Sequence, residues 1–217
     1  MISFIKQLLD WIYRKDCYFC KKPSPLGIMC EKCFSEIELN SNETIKIISN
    51  ICVYSSSLYI DNLKKLIRGI KYHNQKELAV PLADILYTYW QELGHSKDQY
   101  EIVPMPLHPK REKNRGYNHV LLYAREFSKL TGYPINSEIV KRIKDTKPQY
   151  NLSKVKRIEN LKGAFEVDPS KYNNKKLLIF DDICTTGTTI KELISTFKKN
   201  GINDLYVLVA ANPEGNS

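Results

Sequence analysis

The chain has 217 residues, 42% of them hydrophobic and 26% charged, and carries a formal net charge of +9. That length suits one well-packed domain with a small appendage, in a soluble globular protein. No apolar run approaches the roughly 20 residues that a helix needs to cross a bilayer, so membrane insertion is not expected.

At the N-terminus Phe4, Ile5, Leu8, Leu9 and Ile12 recur at helical spacing behind Ser3, a suitable N-cap. Lys6 and Asp10 interrupt the run and no small-residue cleavage site follows, so it reads as an amphipathic helix rather than a signal peptide. Cytoplasmic residence is the resulting expectation. Next come "CYFC" and "CEKC", which place Cys17, Cys20, Cys30 and Cys33 in two C-x-x-C knuckles. Such knuckles close four thiolates tetrahedrally around one zinc ion, as in a zinc ribbon or treble clef. Disulfides are disfavoured in a reducing compartment, and a redox C-x-x-C needs no second copy; an iron–sulfur cluster remains an alternative. Four protein ligands leave no open coordination position, and about fifty residues bury too little core to fold unaided, so the zinc is structural. Cys52 and Cys184 read as plain buried thiols. Residues 1–50 are therefore taken as the helix and zinc module, and 51–217 as the main domain.

The main domain alternates strands and helices. "ICVYSSS" is a strand, "IDNLKKLIRGIKY" and "ELAVPLADILYTYWQEL" are helices, and "YEIVPMP" is a strand. "NHVLLYAREFSKLTG" is a helix stopped by Gly132, and "EIVKRI" is a strand followed by a long basic loop. The strand "KKLLIFDD", the helix "GTTIKELISTFKKNG" and the strand "DLYVLVAA" complete the series. This order implies an α/β fold with a parallel sheet covered on both faces. Ligands in such sheets sit at the carboxyl ends of the strands.

That rule draws the eye to "LLIFDDICTTGTT". Asp181 and Asp182 stand at the end of a buried strand, and Gly187 marks the entry to a helix. Backbone N–H groups at that helix start, with the hydroxyls of Thr185, Thr186, Thr188 and Thr189, suit a phosphate. The carboxylates suit sugar hydroxyls or a magnesium ion, so a ribose 5-phosphate fits both halves. The P-loop alternative fails because its lysine and spacing are absent.

The positive charge is concentrated. Residues 110–115 hold four bases against one acid and residues 141–162 eight against two, which accounts for the whole excess. Two basic loops that share the whole excess point to phosphate, pyrophosphate or nucleic acid. Lys110, Arg111, Lys113 and Arg115 in the first, and Lys154, Lys156 and Arg157 in the second, form a candidate path for a single strand, with Tyr117 and Tyr150 as rings on which bases could stack. His119 is assigned no function.

With these motifs in hand, the chain resembles the type I phosphoribosyltransferases, which bind 5-phosphoribosyl 1-pyrophosphate (PRPP), and more specifically the ComF (GntX-like) family of competence proteins. The cysteine knuckles, "LIRGIKYHNQKELA", "VPMPLHPKREKNRGYN", "DTKPQYNLSKVKRIENLKGAF" and the Asp-Asp-Thr-rich loop occur in that family's order, from Cys17 to about Ala210. The resemblance implies that Asp181 and Asp182 are the catalytic pair on the ribose hydroxyls, and that Thr185–Thr189 bind the 5-phosphate. It implies that the turn from Pro104 to Lys110, including Pro106 and His108, meets pyrophosphate with magnesium, and that Arg157 and Lys162 reach pyrophosphate from a closing loop. It further implies a role in natural transformation, handling internalised single-stranded DNA alongside other competence or DNA-processing proteins. Turnover on an unknown acceptor, DNA handling, and PRPP sensing without turnover are the three functional classes left open.

Overall fold

A computed structural model describes residues 16–24, 27–40, 46–95, 98–145 and 159–213. The expected N-terminal helix, together with Tyr150, Lys154, Lys156 and Arg157, lies outside the described residues. In chain order the elements are α1 (Glu31–Ser35), β1 (Lys46–Ile48), β2 (Ile51–Leu58), α2 (Asp61–Tyr72), α3 (Ala79–Glu92), β3 (Tyr100–Pro104), α4 (Pro109–Arg115), α5 (His119–Thr131), β4 (Val140–Arg142), β5 (Phe165–Val167), β6 (Lys176–Ile183), α6 (Thr188–Lys199) and β7 (Leu205–Asn212).

The central sheet runs β1-β2-β7-β6-β3. Strands β2, β7, β6 and β3 are parallel, and β1 closes the edge antiparallel to β2. The parallel strands are near-continuous apolar runs because both of their faces are covered: Leu177 to Phe180 and Val207 to Ala211 are fully buried. Helix α2 buries Leu63, Leu66, Ile67 and Ile70, one stripe at helical spacing, and α3 buries Leu82, Ile85, Leu86, Tyr89 and Trp90. Phe180 of β6 packs on Phe127 of α5, with ring centroids 4.8 Å apart. Asp182 lies two residues further along β6 and so points to that same face.

The α/β parallel sheet is as the sequence implies, with three differences. Strand β1 lies before the boundary expected at residue 50 and belongs to the central sheet. The basic run 110–115 is a helix rather than a loop. Its start and stop signals are local: Pro109 occupies the first turn, the His108 ring accepts the Lys110 N–H at 3.4 Å, and Gly116 ends the helix at φ 81°. Strand β4 does not join the central sheet but pairs antiparallel with β5. Each is three residues long with only its outer two buried, which suits a half-exposed ribbon. The ribbon brings the chain back beside itself after the basic segment.

Gly187 is the backbone hinge between β6 and α6, with φ 73°. A Cβ there would lie 2.3 Å from Cδ1 of Ile48 on β1. Gly187→Ala is expected to lower unfolding free energy by about 1–2 kcal/mol through φ alone, measured by urea denaturation. A double-mutant cycle with Ile48→Val should recover only the contact part of the loss.

Candidate functional site

Successive residues of a strand face opposite ways, and this separates the two acids. Asp182 turns toward α2 and α5, where it is only 7% exposed. Its Oδ2 accepts hydrogen bonds from Lys71 Nζ at the end of α2 and from His119 Nε2, the latter at 3.0 Å, while Oδ1 accepts the Ile183 N–H. On its other side His119 lies 2.6 Å from Arg115 Nη1 through Nδ1. A guanidinium only donates, so His119 Nδ1 accepts and Nε2 carries the proton given to Asp182. The ring is therefore neutral, in agreement with burial pushing its pKa down. Arg115, His119, Asp182 and Lys71 thus form one continuous chain. Burial raises Asp182, but Lys71 and His119 outweigh it and hold the carboxyl well below the usual range. Burial opposes charge on Lys71 as well, and Asp182 more than compensates, so the ammonium is kept. Removing one partner of such a buried pair typically costs about 3–5 kcal/mol.

Asp181 faces the other way and accepts the Asp182 backbone N–H at 2.9 Å. Burial first, then the neighbouring Asp182 charge, raises its pKa to about 7. The pair is therefore unequal, with one carboxylate fixed and ionised and the other poised to exchange a proton or take a ligand.

Beyond the acids, Thr185 is exposed, Thr186 is half-buried with its hydroxyl 2.8 Å from that of Thr188, and Thr189 lies in the first turn of α6. Gly187 offers α6 no capping side chain, so the first-turn N–H groups retain the polarity that favours an anion. Burial raises the Cys184 thiol to about 11, which marks it as inert. The Met105 N–H donates to the Phe180 carbonyl at 2.8 Å, tying the turn after β3 to the acidic strand. That turn, with Pro106 and His108, lines a cleft of about 440 Å³ shared with Asn118, Lys141 and Arg142. Asp145 lies within 4.0 Å of His108, Lys110 and Arg111, and so joins the foot of the second basic segment to α4. Lys113 is exposed on α4, and the half-buried Tyr117 donates its hydroxyl to the Ile70 carbonyl at 2.6 Å. The exposed Lys162 sits beside the ribbon, where its carbonyl accepts from Lys144 Nζ.

Three residues that matter here, Lys71, His119 and Arg142, are not apparent from the sequence reading. Only the four-residue spacing of Arg115 and His119 and the strand alternation hint at them. Arg142 is 8% exposed, with its guanidinium 5.6 Å from the Phe165 ring.

The second site is the cysteine cluster, where the four sulfur atoms lie within 4.8 Å of one another. Tetrahedral bonds of about 2.3 Å to zinc set sulfurs about 3.8 Å apart, and Cys20 and Cys30 stand at 3.7 Å. The Cys30 N–H donates to Cys17 Sγ. Burial raises the Cys17 thiol, but N–H donors from Cys20, Cys30 and Phe19 outweigh it and bring it to about 6, whereas burial and the neighbouring thiols push Cys33 far up. Crowded thiols that share protons in this way can bind a zinc ion, which would displace those protons.

Fold and site together define an α/β protein with a strand-end acid pair, a glycine-hinged helix N-terminus and a cysteine module. No family model matches the chain. It is 30% identical over 200 residues to Competence protein F of Haemophilus influenzae, covering 88% of this chain and 87% of that protein. It is 30% identical over 149 residues to the DNA utilization protein YhgH of Escherichia coli, covering 66% and 64%, and 23% identical over 177 residues to Competence protein ComFC of Bacillus subtilis, covering 80% and 68%. The chain belongs to the ComF family. Among the described residues, no helix is long and apolar enough to cross a membrane.

Purified protein is expected to carry one zinc per chain by elemental analysis; iron, or no metal, would contradict this. Cys33→Ser should lose the metal and lower the melting temperature.

The two carboxyls carry opposite pH linkage. Asp182, held low, contributes stability that is present above the unfolded carboxylate pKa and lost as pH falls through its folded value. Asp181, held high, contributes stability that is present below its unfolded pKa of about 3.9 and lost as pH rises through about 7. Asp181→Asn is therefore expected to match wild type near pH 4 and to exceed it at pH 8 by up to about 4 kcal/mol in urea unfolding.

Proposed function

We propose that this ComF-family protein binds PRPP or a related ribose 5-phosphate, with magnesium, at the end of β6, and handles single-stranded DNA in competence. The observation that carries the sugar-phosphate reading is the juxtaposition of the acid pair with a helix start whose hinge is a glycine. In this type I phosphoribosyltransferase-like arrangement Asp181 meets ribose hydroxyls or magnesium, and Asp182 acts through its fixed charge. The 5-phosphate lies on the N–H groups and hydroxyls of residues 185–189. Pro106, His108, Lys110, Arg157 and Lys162 serve the pyrophosphate. The DNA reading rests on the names of the relatives, two of them competence proteins and one a DNA utilization protein, and on the concentration of the net charge in two segments. The reading divides the chain into a zinc module and a sheet domain in the cytoplasm. It leaves pentosyl transfer and binding without turnover as alternatives that pyrophosphate release, assayed with bases and nucleosides, would separate.

The test is calorimetry with ribose 5-phosphate and PRPP, with and without magnesium. Asp181→Asn is the variant of choice because Asp182 is needed to hold Lys71 and His119. A lost bond to a charged group should weaken binding about 10- to 150-fold, and wild-type affinity should rise with pH through about 7, where Asp181 ionises. Unchanged affinity in the variant would overturn the pocket. In parallel, oligonucleotide affinity should fall by about 0.7 log units per contacted phosphate for each log unit of salt, and Lys154, Lys156 and Arg157 changed together to alanine should reduce the total slope by lowering the number of contacted phosphates.

A further inference from the structure

Behind the acid pair, between the end of α2 and the corner joining α4 to α5, lies a second cleft of about 390 Å³. Lys71, Tyr72, Asn74, Arg111, Arg115 and Tyr117 line it, and no acid does. Tyr72 stands out: at 61% exposure it is, among the described residues, the one exposed large aromatic. It lies off the apolar stripe of α2, so no core packing accounts for it. Three cations surround its ring within 6 Å of the centroid: Arg68 at 5.7 Å, Lys71 at 5.9 Å and Arg115 at 5.9 Å. Two of these are held from below. Lys71 is bonded to Asp182, and Arg115 to His119, which is bonded to the same carboxylate. A ring kept in water, beside cations whose positions are set by a buried acid, is a preorganised platform. By contrast, Tyr117 in the same cleft is half-buried, anchored to the Ile70 carbonyl, with Lys76 4.7 Å from its ring.

We infer that this cleft binds a nucleotide, with an unpaired base stacked on Tyr72, its phosphate beside Arg115 and Arg111, and the Asn74 amide near the base edge. A bare anion would need the cations but not the ring, while a base has a π-face for Tyr72 and carries its phosphate within reach of the guanidinium groups. The inference deepens the single-strand reading above by naming where a base sits, and it is independent of the sugar-phosphate pocket. The ligand is either a free nucleotide or one unit of a strand, and the two sources share this chemistry.

The experiment titrates full-length, zinc-loaded protein with a labelled oligothymidylate of about ten nucleotides, with thymidine monophosphate and with inorganic phosphate. Tyr72→Ala should weaken oligonucleotide binding by roughly 5- to 150-fold, the worth of one stacked base, while Tyr72→Phe stays within about twofold. Tyr72→Trp should show indole quenching on binding that wild type lacks, a contact readout that does not depend on the alanine variant folding well. Tyr72-dependent binding of the monophosphate alone identifies a free nucleotide; dependence seen only with the oligonucleotide identifies the strand. Either result supports the cleft. Unchanged affinity in Tyr72→Ala, equal losses in the alanine and phenylalanine variants, or competition by inorganic phosphate as strong as by nucleotide overturns it. If wild type binds ribose 5-phosphate but no oligonucleotide or nucleotide, both this inference and the DNA reading fail and the pocket reading survives. If Tyr72-dependent binding persists without sugar-phosphate binding, only the pocket reading fails.

Discussion

A buried carboxylate is stable only when charge and hydrogen bonds replace the water it has lost, and Asp182 meets that requirement by gathering the end of α2 and the start of α5 onto the tip of β6. Lys71 and His119 are separated from it by long stretches of chain and converge on one oxygen. Each of the three then fixes something else. Lys71 fixes where α2 ends and therefore where Tyr72 stands. His119 holds Arg115 at the corner after α4. Asp182 itself sets the electrostatic surroundings of Asp181, whose raised pKa owes most to burial and next to this neighbour. The two faces of one strand end thus differ: Asp182 is a structural tie, and Asp181 on the other face makes, among the described residues, no contact with that tie beyond accepting the Asp182 N–H.

The cysteine module supports the same helix from the other side. The Tyr18 hydroxyl lies 3.1 Å from His73 Nδ1, just beyond the end of α2, and Asn62 in its first turn donates to the Cys33 carbonyl and to Glu36. At Gly69 a Cβ would lie 2.4 Å from Leu78 Cδ1 and 3.3 Å from the Tyr18 hydroxyl, so the missing side chain admits Leu78 chiefly and leaves room for Tyr18 of the module close to α2. The module in this way braces the helix that carries Lys71. A structural zinc would then stabilise more than its own knuckles, because the helix it braces delivers a partner to the acid pair.

The positive charge has a corresponding arrangement. Helix α4 carries the first basic segment, and Asp145 sits close enough to His108, Lys110 and Arg111 to dock the foot of the second beside it. The β4–β5 ribbon returns the chain to the body of the protein, where the Gly163 N–H donates to Glu192 of α6 at 2.6 Å. Among the described residues, Lys110 and Arg111 are held beside one another by one acid, Asp145, and clustered like charge of this kind raises the local potential.

Much of this was legible in the sequence because it depends on near neighbours. Two C-x-x-C knuckles define a four-sulfur set by spacing alone. Continuous apolar runs define β6 and β7, and a strand followed by threonines, a glycine and an amphipathic run defines a loop entering a helix. Even α4 had its proline start and glycine stop in place, although its charge made it look like a loop. Strand β1 was missed because three residues carry too little pattern, and β4 was placed in the wrong sheet because a short strand does not reveal its partner. The tertiary structure alone decided which acid faces which way, that a histidine given no role is the link between Arg115 and Asp182, and that Tyr72 is left standing in a cleft of cations. Periodicity tells a side chain which face of its own element it occupies. What waits on that face is set by how distant elements pack, and no local pattern encodes it.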